Sequence, residues 1–324
     1  MQLPTPDDVA AAGRRLTGHV VHTPMLRNAM LDALTGGTIL IKPECLQRTG
    51  SFKFRGATNA MMMMDDAQRR AGVVAHSSGN HGQAIACAAA AAGSRATVYM
   101  PADAPLVKIE STRRWGAEII PFDRATADRA GLAAGYAAST GATLVPPFDH
   151  AGVIAGQGTL ALELAEDARI AGFTMDALLI CTGGGGMIAG CALAMEAASP
   201  GTAVHAIEPE GSDDTIRSLA AGARQSNAPG GSTLCDALLS SMPGELTFAI
   251  NRTRVAGGVA VTDSEVMAAI RFAFMHLKLV VEPGGAVCLA ALLAGKFNAK
   301  HQVVGLVLSG GNVDAPVFAK ALAA

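Results

Sequence analysis

Lys53 lies in the stretch TGSFKFRGA (49–57), where it stands between Phe52 and Phe54. Burial beside aromatic rings lowers the pKa of a lysine and increases its fraction of free amine, the form that acts as a nucleophile or general base. The alternative is a surface helix, in which the lysine stem covers the rings and the ammonium stays in water. This stretch alone favours the surface helix, so the choice depends on the other loops of the chain.

Four consecutive glycines follow an apolar segment, DALLICT, and precede a helical pattern that is expected to begin at about Met187. They are Gly183, Gly184, Gly185 and Gly186. Glycines let several backbone N–H groups converge on one anion, and the positive end of a helix dipole adds to the attraction. The pattern therefore predicts a phosphate-binding loop.

The phosphate that binds there stays open at this point. Gly184, Gly186 and Ala189 also match the dinucleotide motif G-x-G-x-x-A, and Glu208 follows at the place of a ribose-binding acid. A nicotinamide-dependent oxidoreductase is therefore an alternative. It leaves the other polar loops at strand ends without a role.

Two of those loops follow predicted strands. HSSGNHGQA (76–84) joins a strand to a helix and collects more polar groups than one helix cap requires, at a place where a helix N-terminus would bind a carboxylate. SGGN (309–312) ends the strand VVGLVL, which directs Ser309 to the edge where open α/β sheets bind ligands. By itself, the second loop is more typical of a simple turn.

Short apolar runs alternate with alanine-rich helical segments along all 324 residues. This alternation predicts an α/β protein with largely parallel sheets flanked by helices. The length suits two domains, and the pattern places a small mobile domain at 64–149 and a large domain at 1–63 and 150–324. FRGATNAMMMMDDAQRR (54–70) is predicted to form one helix.

The composition argues against several classes of function. Charged residues make up only 16% of the chain, the net charge is −2, and no basic cluster accompanies the 4% aromatic residues, so nucleic acid is not an expected partner. No apolar run is long enough for a membrane span. The N-terminus lacks a signal-peptide pattern and the six cysteines lack paired spacing, so we expect reduced thiols and a cytoplasmic protein.

Eight segments, in order along nearly the whole chain, resemble the serine/threonine dehydratase and serine racemase family. These are pyridoxal-phosphate (PLP) enzymes of fold type II, related to tryptophan synthase β. The segments are VVHTPML (20–26), SFKFRGA (51–57), SSGNHGQA (77–84), VIAGQGTLALE (153–163), GGGGMIAG (183–190), EPEGSDD (208–214), VEPGGAV (281–287) and SGGNVD (309–314).

The resemblance implies that Lys53 holds PLP through a Schiff base, with Phe52 and Phe54 as parts of the walls. Asn80 would donate a hydrogen bond to the 3-oxygen of the pyridine ring, and Ser309 would face the ring nitrogen. The cofactor phosphate would bind at Gly183, Gly184, Gly185, Gly186 and Met187.

By the same resemblance, the substrate is a small amino acid and its α-carboxylate binds the loop made of Ser77, Ser78, Gly79, Asn80 and His81. Ser78 stands where racemases carry a second acid. Arg129 resembles in position an arginine that approaches the substrate, and it would bind a second carboxylate. Ser240 is expected near the substrate hydroxyl.

EPEGSDD resembles the divalent-cation site of the family, with carboxylates from Glu208 and Asp214 and the backbone carbonyl of Ser212. These oxygen ligands suit Mg²⁺, or Ca²⁺ or Mn²⁺. The resemblance also suggests a homodimer. Two positions depart from the family pattern: Gly284 and Gly285 stand where relatives often carry Thr or Ser, and Ala237 stands where some carry glycine.

The leading hypothesis is a PLP-dependent dehydratase that converts L-serine, L-threonine or 3-hydroxyaspartate to a 2-keto acid and ammonia. The alternative within the family is an amino acid racemase with a dehydratase side activity. Outside it, we keep the nicotinamide oxidoreductase and a PLP-binding protein without catalytic activity.

Overall fold

The computed structural model describes residues 2–77, 79–104, 106–123, 127–228 and 233–323. Its strands are β1 (Thr38–Pro43), β2 (Val73–His76), β3 (Ala96–Pro101), β4 (Glu118–Phe122), β5 (Thr143–Leu144), β6 (Ala177–Cys181), β7 (Ala203–Pro209), β8 (Val255–Val261) and β9 (Val303–Leu308). The α-helices are α1 (Pro6–Leu16), α2 (Ala29–Thr35), α3 (Lys53–Met62), α4 (Asp66–Ala71), α5 (Asn80–Ala91), α6 (Leu106–Arg113), α7 (Arg129–Thr140), α8 (Ala151–Ile170), α9 (Gly186–Ala198), α10 (Asp214–Ala221), α11 (Glu245–Arg254), α12 (Asp263–Phe272), α13 (Pro283–Leu293) and α14 (Ala315–Ala323). Two 3₁₀ turns (Glu44–Leu46 and Asp236–Leu238) and a π-helical turn (Ala273–Leu277) complete the regular structure.

The strands form two sheets in which every strand pairing is parallel. The larger sheet has the order β1-β9-β6-β7-β8, and the smaller has the order β4-β3-β2-β5. Parallel neighbours require long crossover connections, and helices supply them here. The predicted α/β fold with two parallel, helix-flanked sheets is confirmed.

The buried strands are almost wholly apolar because helices cover both faces of the sheets, and the buried Lys42 of β1 is an exception. All five residues of β6 are buried, as are five of the six residues of β1 and of β9. This explains why the continuous apolar runs predicted these strands correctly.

The sequence prediction was wrong for the segment 54–70, which forms two helices rather than one. α3 ends at Met62, and Asp65 starts α4 by accepting a hydrogen bond from the backbone N–H of Gln68, whose side chain in turn accepts one from the backbone N–H of Asp65. This reciprocal pair is a capping box, which favours a new helix start over continuation.

β8 was also missed, because VAGGVAV resembles a glycine-containing loop. In the structure it is an edge strand that pairs with β7. A Cβ atom at Gly258 would lie 2.7 Å from the carbonyl oxygen of Ala206, so the close approach of the two strands requires glycine at this position.

The four strands of the smaller sheet lie between Val73 and Leu144, within the range 64–149, while the larger sheet collects strands from both flanking segments. Whether the smaller part moves as a unit stays a prediction. Among the described residues, no helix combines the length and apolar character needed to cross a bilayer.

Candidate active site

A cleft with about 1000 Å³ of empty space, part of it open to solvent, lies where strands of both sheets end. We call it the cavity. Ser77 follows β2, Thr182 follows β6 and Ser309 follows β9, and all three line this cavity. Because carboxyl ends of parallel strands leave side chains and helix N-termini exposed, this edge is where α/β proteins bind ligands. The two polar loops and the glycine run of the sequence thus meet at one place.

Lys53 is positioned by a set of backbone contacts between two distant loops. The N–H of Phe52 donates to the carbonyl oxygen of Ser309 (3.0 Å), and the N–H of Gly311 donates to the carbonyl oxygen of Gly50 (2.8 Å). Between them, Ser51 and Gly310 form an antiparallel β-bridge. Lys53 follows at once as the first residue of α3. These contacts bring the lysine and Ser309 to the same cavity, although they are far apart in the chain.

The helix that carries Lys53 is anchored by Arg55, which has no exposed surface. Its guanidinium donates to both carboxylate oxygens of Glu44 (2.8 Å each) and to both of Glu163 (2.7 and 2.8 Å). Lys42, also fully buried, adds a contact to Glu163 at 2.7 Å. Paired in this way, a buried charge resists displacement, because any movement would leave it without a partner.

Burial lowers the pKa of Lys53 from 10.5 to about 8, against a smaller opposing effect of the Glu282 carboxyl. The lysine Nζ donates to the carbonyl oxygen of Pro147 at 2.8 Å and lies 5.1 Å from the ring centre of Phe52. Phe52 therefore forms a wall of the cavity, as expected. Phe54 instead packs in the core of the smaller sheet, with Arg48 over its ring.

The glycine run connects β6 to α9 and leaves its N–H groups free. Among the described residues, the backbone N–H groups of Gly184 to Met187 have no hydrogen-bond acceptor. Gly185 has a left-handed conformation (φ 87°), and a Cβ atom at Gly184 would lie 2.3 Å from the ring of Phe148. Glycine is thus required for the turn and for the close packing of Phe148, and the free N–H groups are of the kind that can hold an anion.

The second polar loop leads into α5, with Gly79 at the N-cap position. The Ser77 hydroxyl accepts a hydrogen bond from the Gly79 N–H at 3.1 Å. The His81 ring donates to the carbonyl oxygen of Val145 (2.8 Å), and burial and nearby Lys53 lower its pKa to about 3, so it is neutral. Ser78 lies outside the described residues.

Asn80 lies between two side chains from the larger sheet. Its amide nitrogen donates to Glu282 at 2.6 Å, and its amide oxygen accepts from Asn312 at 2.8 Å. Burial, and secondarily the charge of Asp236, raise the pKa of Glu282 to about 8. Ser309 is buried at the floor of the same cavity. Asn80 is therefore held in a fixed orientation beside Lys53 and Ser309.

Arg129 and Ser240 also line the cavity. Arg129 is the first residue of α7, where the positive end of the helix dipole opposes a cation, so its placement does not serve helix stability. Next to it is His76, whose pKa is lowered to about 4 by burial and by the Arg129 charge. The arginine thus adds a positive charge to the cavity lining.

The acidic segment begins with the last two residues of β7 and is not part of the cavity lining. Glu208 is buried and accepts hydrogen bonds from the N–H groups of Thr215 (3.2 Å) and Ile216 (2.8 Å). One oxygen of Asp214 accepts from Asn227 at 2.6 Å, while the other is buried without a partner among the described residues. Over those same residues, no three His, Cys, Asp or Glu side chains converge as a metal cluster.

The two departures from the family pattern are in contact with each other. A Cβ atom at Gly284 would lie 3.2 Å from the Cβ of Ala237 and 3.2 Å from the Cγ of Leu238. The methyl group of Ala237 therefore occupies space beside Gly284 that a larger residue would need. Gly285 lies against Gly310, whose carbonyl oxygen would be 2.5 Å from an added Cβ.

A family model described as "Pyridoxal-phosphate dependent enzyme" matches residues 16–310. The chain belongs to this family. It is 45% identical to an L-threo-3-hydroxyaspartate ammonia-lyase of a Pseudomonas species (99% of each chain) and 42% identical to one of Saccharomyces cerevisiae (98% and 96%). The structure of maize serine racemase superposes with a TM-score of 0.93 at 35% identity and covers 99% of this chain and 98% of that one.

The residues of the cavity fit the cofactor that defines this PLP family. Lys53 supplies a partly neutral amine, the free N–H groups of the glycine run suit the phosphate, and Ser309 and Asn80 offer polar groups in between. The nicotinamide oxidoreductase alternative was wrong, because the glycine run belongs to a PLP enzyme. Glu208 is not among the residues that line the cavity and lies buried against the first turn of α10, so it is not placed to bind the ribose of a ligand held in the cavity.

Sequence reasoning missed several side chains of the cavity in this PLP enzyme. Phe148 and Pro147 come from the segment before α8, and Lys108 and Asp236 form an ion pair that joins α6 to a turn of the larger sheet. Their spacing from the motifs carries no periodic signal. Phe148 alone has an indirect signal in the sequence. The glycines that it packs against are visible there, and the position of its ring explains why those residues are glycine.

The lowered pKa of Lys53 predicts how its amine reacts in the PLP-free protein. Pulse acetylation with peptide mapping should show Lys53 labelling with a midpoint near pH 8, since the neutral amine reacts. Glu282→Gln should lower this midpoint further, because the Glu282 carboxyl raises the lysine pKa. A midpoint near 10.5 for Lys53 would contradict the buried environment.

Proposed function

We propose that this PLP enzyme is an ammonia-lyase of β-hydroxy amino acids, with 3-hydroxyaspartate as the first candidate substrate and L-serine and L-threonine as the others. It would eliminate water across the Cα–Cβ bond, and the released enamine would hydrolyse to a 2-keto acid and ammonia. The observation that carries the proposal is the partly neutral Lys53 amine, in a cavity that is also lined by the glycine run and by the first residues of α5, two places that suit an anion.

When bound, PLP supplies an electron sink for the bond that breaks at Cα. The protein would hold the substrate α-carboxylate at the N-terminus of α5, through the N–H groups that follow Gly79. The Lys53 Nζ would then take the Cα proton, because a pKa of about 8 leaves a usable fraction of free base at neutral pH. The hydroxyl of Ser240 lies on the cavity wall as a partner for the β-hydroxyl.

The proposal of a dicarboxylic substrate is supported by two ammonia-lyase relatives whose names specify L-threo-3-hydroxyaspartate. A second carboxylate requires a cation within reach. Arg129 lines the cavity. It lies at the N-terminus of its own helix, where the positive end of the dipole disfavours a cation, so a role in ligand binding would explain an arginine at this position.

Serine racemase is the second candidate, supported by the likeness to the maize enzyme. Inversion needs a proton donor on the face of Cα opposite Lys53. We propose Ser78 for this role on the family resemblance alone, since that residue is not among those described.

A substrate panel on the PLP-loaded protein tests the proposed function. The enzyme should release keto acid and ammonia from L-threo-3-hydroxyaspartate faster than from L-serine, L-threonine or their D-enantiomers, and Lys53→Ala should abolish the release. If the opposite enantiomer of serine is the main product, the racemase is correct and Ser78→Ala should remove inversion while sparing elimination. No turnover of any substrate would leave a silent PLP-binding protein.

Arg129 should determine preference for the second carboxylate. Arg129→Ala should raise KM for 3-hydroxyaspartate by roughly tenfold or more, because a charge-assisted hydrogen bond is lost, while KM for L-serine changes little. Arg113→Ala, at an exposed arginine that ends α6, is the matched control. An unchanged KM for 3-hydroxyaspartate would exclude Arg129 from this role.

We further propose a divalent cation at Glu208, Asp214 and the Ser212 carbonyl. The support is chemical: two buried carboxylates lie close together, and one oxygen of Asp214 has no partner among the described residues. Oxygen donors of this kind suit Mg²⁺, Ca²⁺ or Mn²⁺, and water would complete the shell. A cation there would compensate the burial that raises the pKa of both carboxyls.

Removal of the cation tests this proposal. Treatment with a chelator should lower the melting temperature by about 2 °C or more, and added Mg²⁺, Ca²⁺ or Mn²⁺ should restore it, because ligand binding stabilises the folded state. Asp214→Asn should abolish the response, whereas Asp213→Asn, which removes a surface carboxylate paired with Arg217, should keep it. No response of the unmodified protein would leave an ordinary acidic turn.

A homodimer and a cytoplasmic location complete the proposal. Apolar side chains are exposed around the π-helical turn, namely Phe274, Met275 and Val280, and a second copy of the chain would cover them. All six cysteines are free thiols, including Cys181 and Cys288, whose sulfur atoms lie 3.4 Å apart, which suits a reducing compartment.

A further inference from the structure

Lys108 and Asp236 form an ion pair in the lining of the cavity. Lys108 belongs to α6, in the part of the chain that holds the smaller sheet, and Asp236 starts a 3₁₀ turn that packs against α13, in the part that holds the larger sheet. The pair thus joins the two parts within the cavity lining. Neither residue takes part in the roles described above.

Lys108 and Asp236 differ in how strongly the charge of each depends on the ion pair for its stabilisation. The Lys108 side chain is only 12% exposed, whereas that of Asp236 is 48% exposed. A nearly buried ammonium requires an anion beside it, because burial without a partner is costly. A half-exposed carboxylate is hydrated without any partner, and such surface pairs contribute little stability. Another carboxylate can therefore replace Asp236 beside Lys108.

The Lys108 side chain also lies on the loop expected to bind the substrate α-carboxylate. A Cβ atom at Gly79 would be 3.5 Å from the lysine Cδ and 3.9 Å from its Nζ. A substrate held at the N-terminus of α5 would place its remaining atoms close to this ammonium.

Other carboxyl groups near Lys108 do not replace Asp236. Glu282 and Asp314 both act on the lysine electrostatically, but less than Asp236 does. With its pKa raised to about 8 by burial, Glu282 is mostly uncharged at neutral pH. Asp236 is accordingly the main counter-ion of Lys108, and it is the one that faces outward.

We infer that Lys108 is a further cation, in addition to Arg129, for the second carboxylate of dicarboxylic ligands, and that Asp236 occupies its place until such a ligand displaces it. The exchange replaces one carboxylate with another, so the charge beside Lys108 stays the same. A monocarboxylic ligand cannot make the exchange and leaves the Lys108–Asp236 pair closed. The inference rests on the proposed function and specifies the substrate class of the same cavity.

Succinate and butyrate test this inference by calorimetry on the PLP-loaded protein. They have the same number of carbon atoms and differ in the second carboxylate. Lys108→Met should weaken succinate binding about tenfold and change butyrate binding little, because only succinate uses the ammonium. Asp236→Asn should strengthen succinate binding several-fold, because it removes the competing carboxylate. Lys108→Arg, which keeps the charge, should retain the preference for succinate.

The variants separate this role from a purely structural one. If the ion pair only held the two sheets together, Lys108→Met and Asp236→Asn would both weaken binding of the two ligands by similar factors. That result would overturn the inference, as would equal binding of succinate and butyrate by the unmodified protein. Because binding is measured without turnover, a preference for succinate in a protein that does not turn over 3-hydroxyaspartate would count against the proposed function alone.

Discussion

The buried guanidinium of Arg55 is the constraint on which the geometry of the cavity depends. A charge without exposed surface persists only when each of its donors is paired, and Glu44 and Glu163 together accept four hydrogen bonds from it. Glu44 follows β1 and Glu163 lies in α8, so the cluster locks α3 to a strand and to a long helix. Lys53 lies two residues before Arg55. Its position is fixed by this cluster and by the backbone contacts of the preceding loop.

Charge is distributed unevenly around the cavity. Burial lowers the pKa of Lys53 and His81 and raises that of Glu282, so all three shift toward their neutral forms. The cations Lys108 and Arg129 lie on the cavity wall, on helices beside the smaller sheet. A PLP enzyme needs both features, because proton transfer at Cα requires a free amine, whereas recognition of a carboxylate requires a lasting positive charge.

Local sequence predicted the strands whose whole length is buried and the two loops that face the cavity. The prediction failed where a residue type is required by a contact with a residue that is distant in the sequence. β8 needs Gly258 because Ala206 approaches it, and Gly184 needs to be glycine because of the Phe148 ring. The break between α3 and α4 had a local signal, the capping box of Asp65 and Gln68, which the run of methionines obscured.

The resemblance of its motifs to a known family suggested Lys53 as the reactive amine. The sequence by itself determined the α/β class, the order of the motifs and the glycine-rich turn after β6. These follow from period, residue type and short-range backbone chemistry, which act within a few residues. Only the tertiary structure decided the pairing of Lys108 with Asp236, the orientation of Asn80 between Glu282 and Asn312, and the contact of Ala237 with Gly284. Each of these joins residues far apart in the chain, and an interaction of that kind depends on distances that exist only after folding.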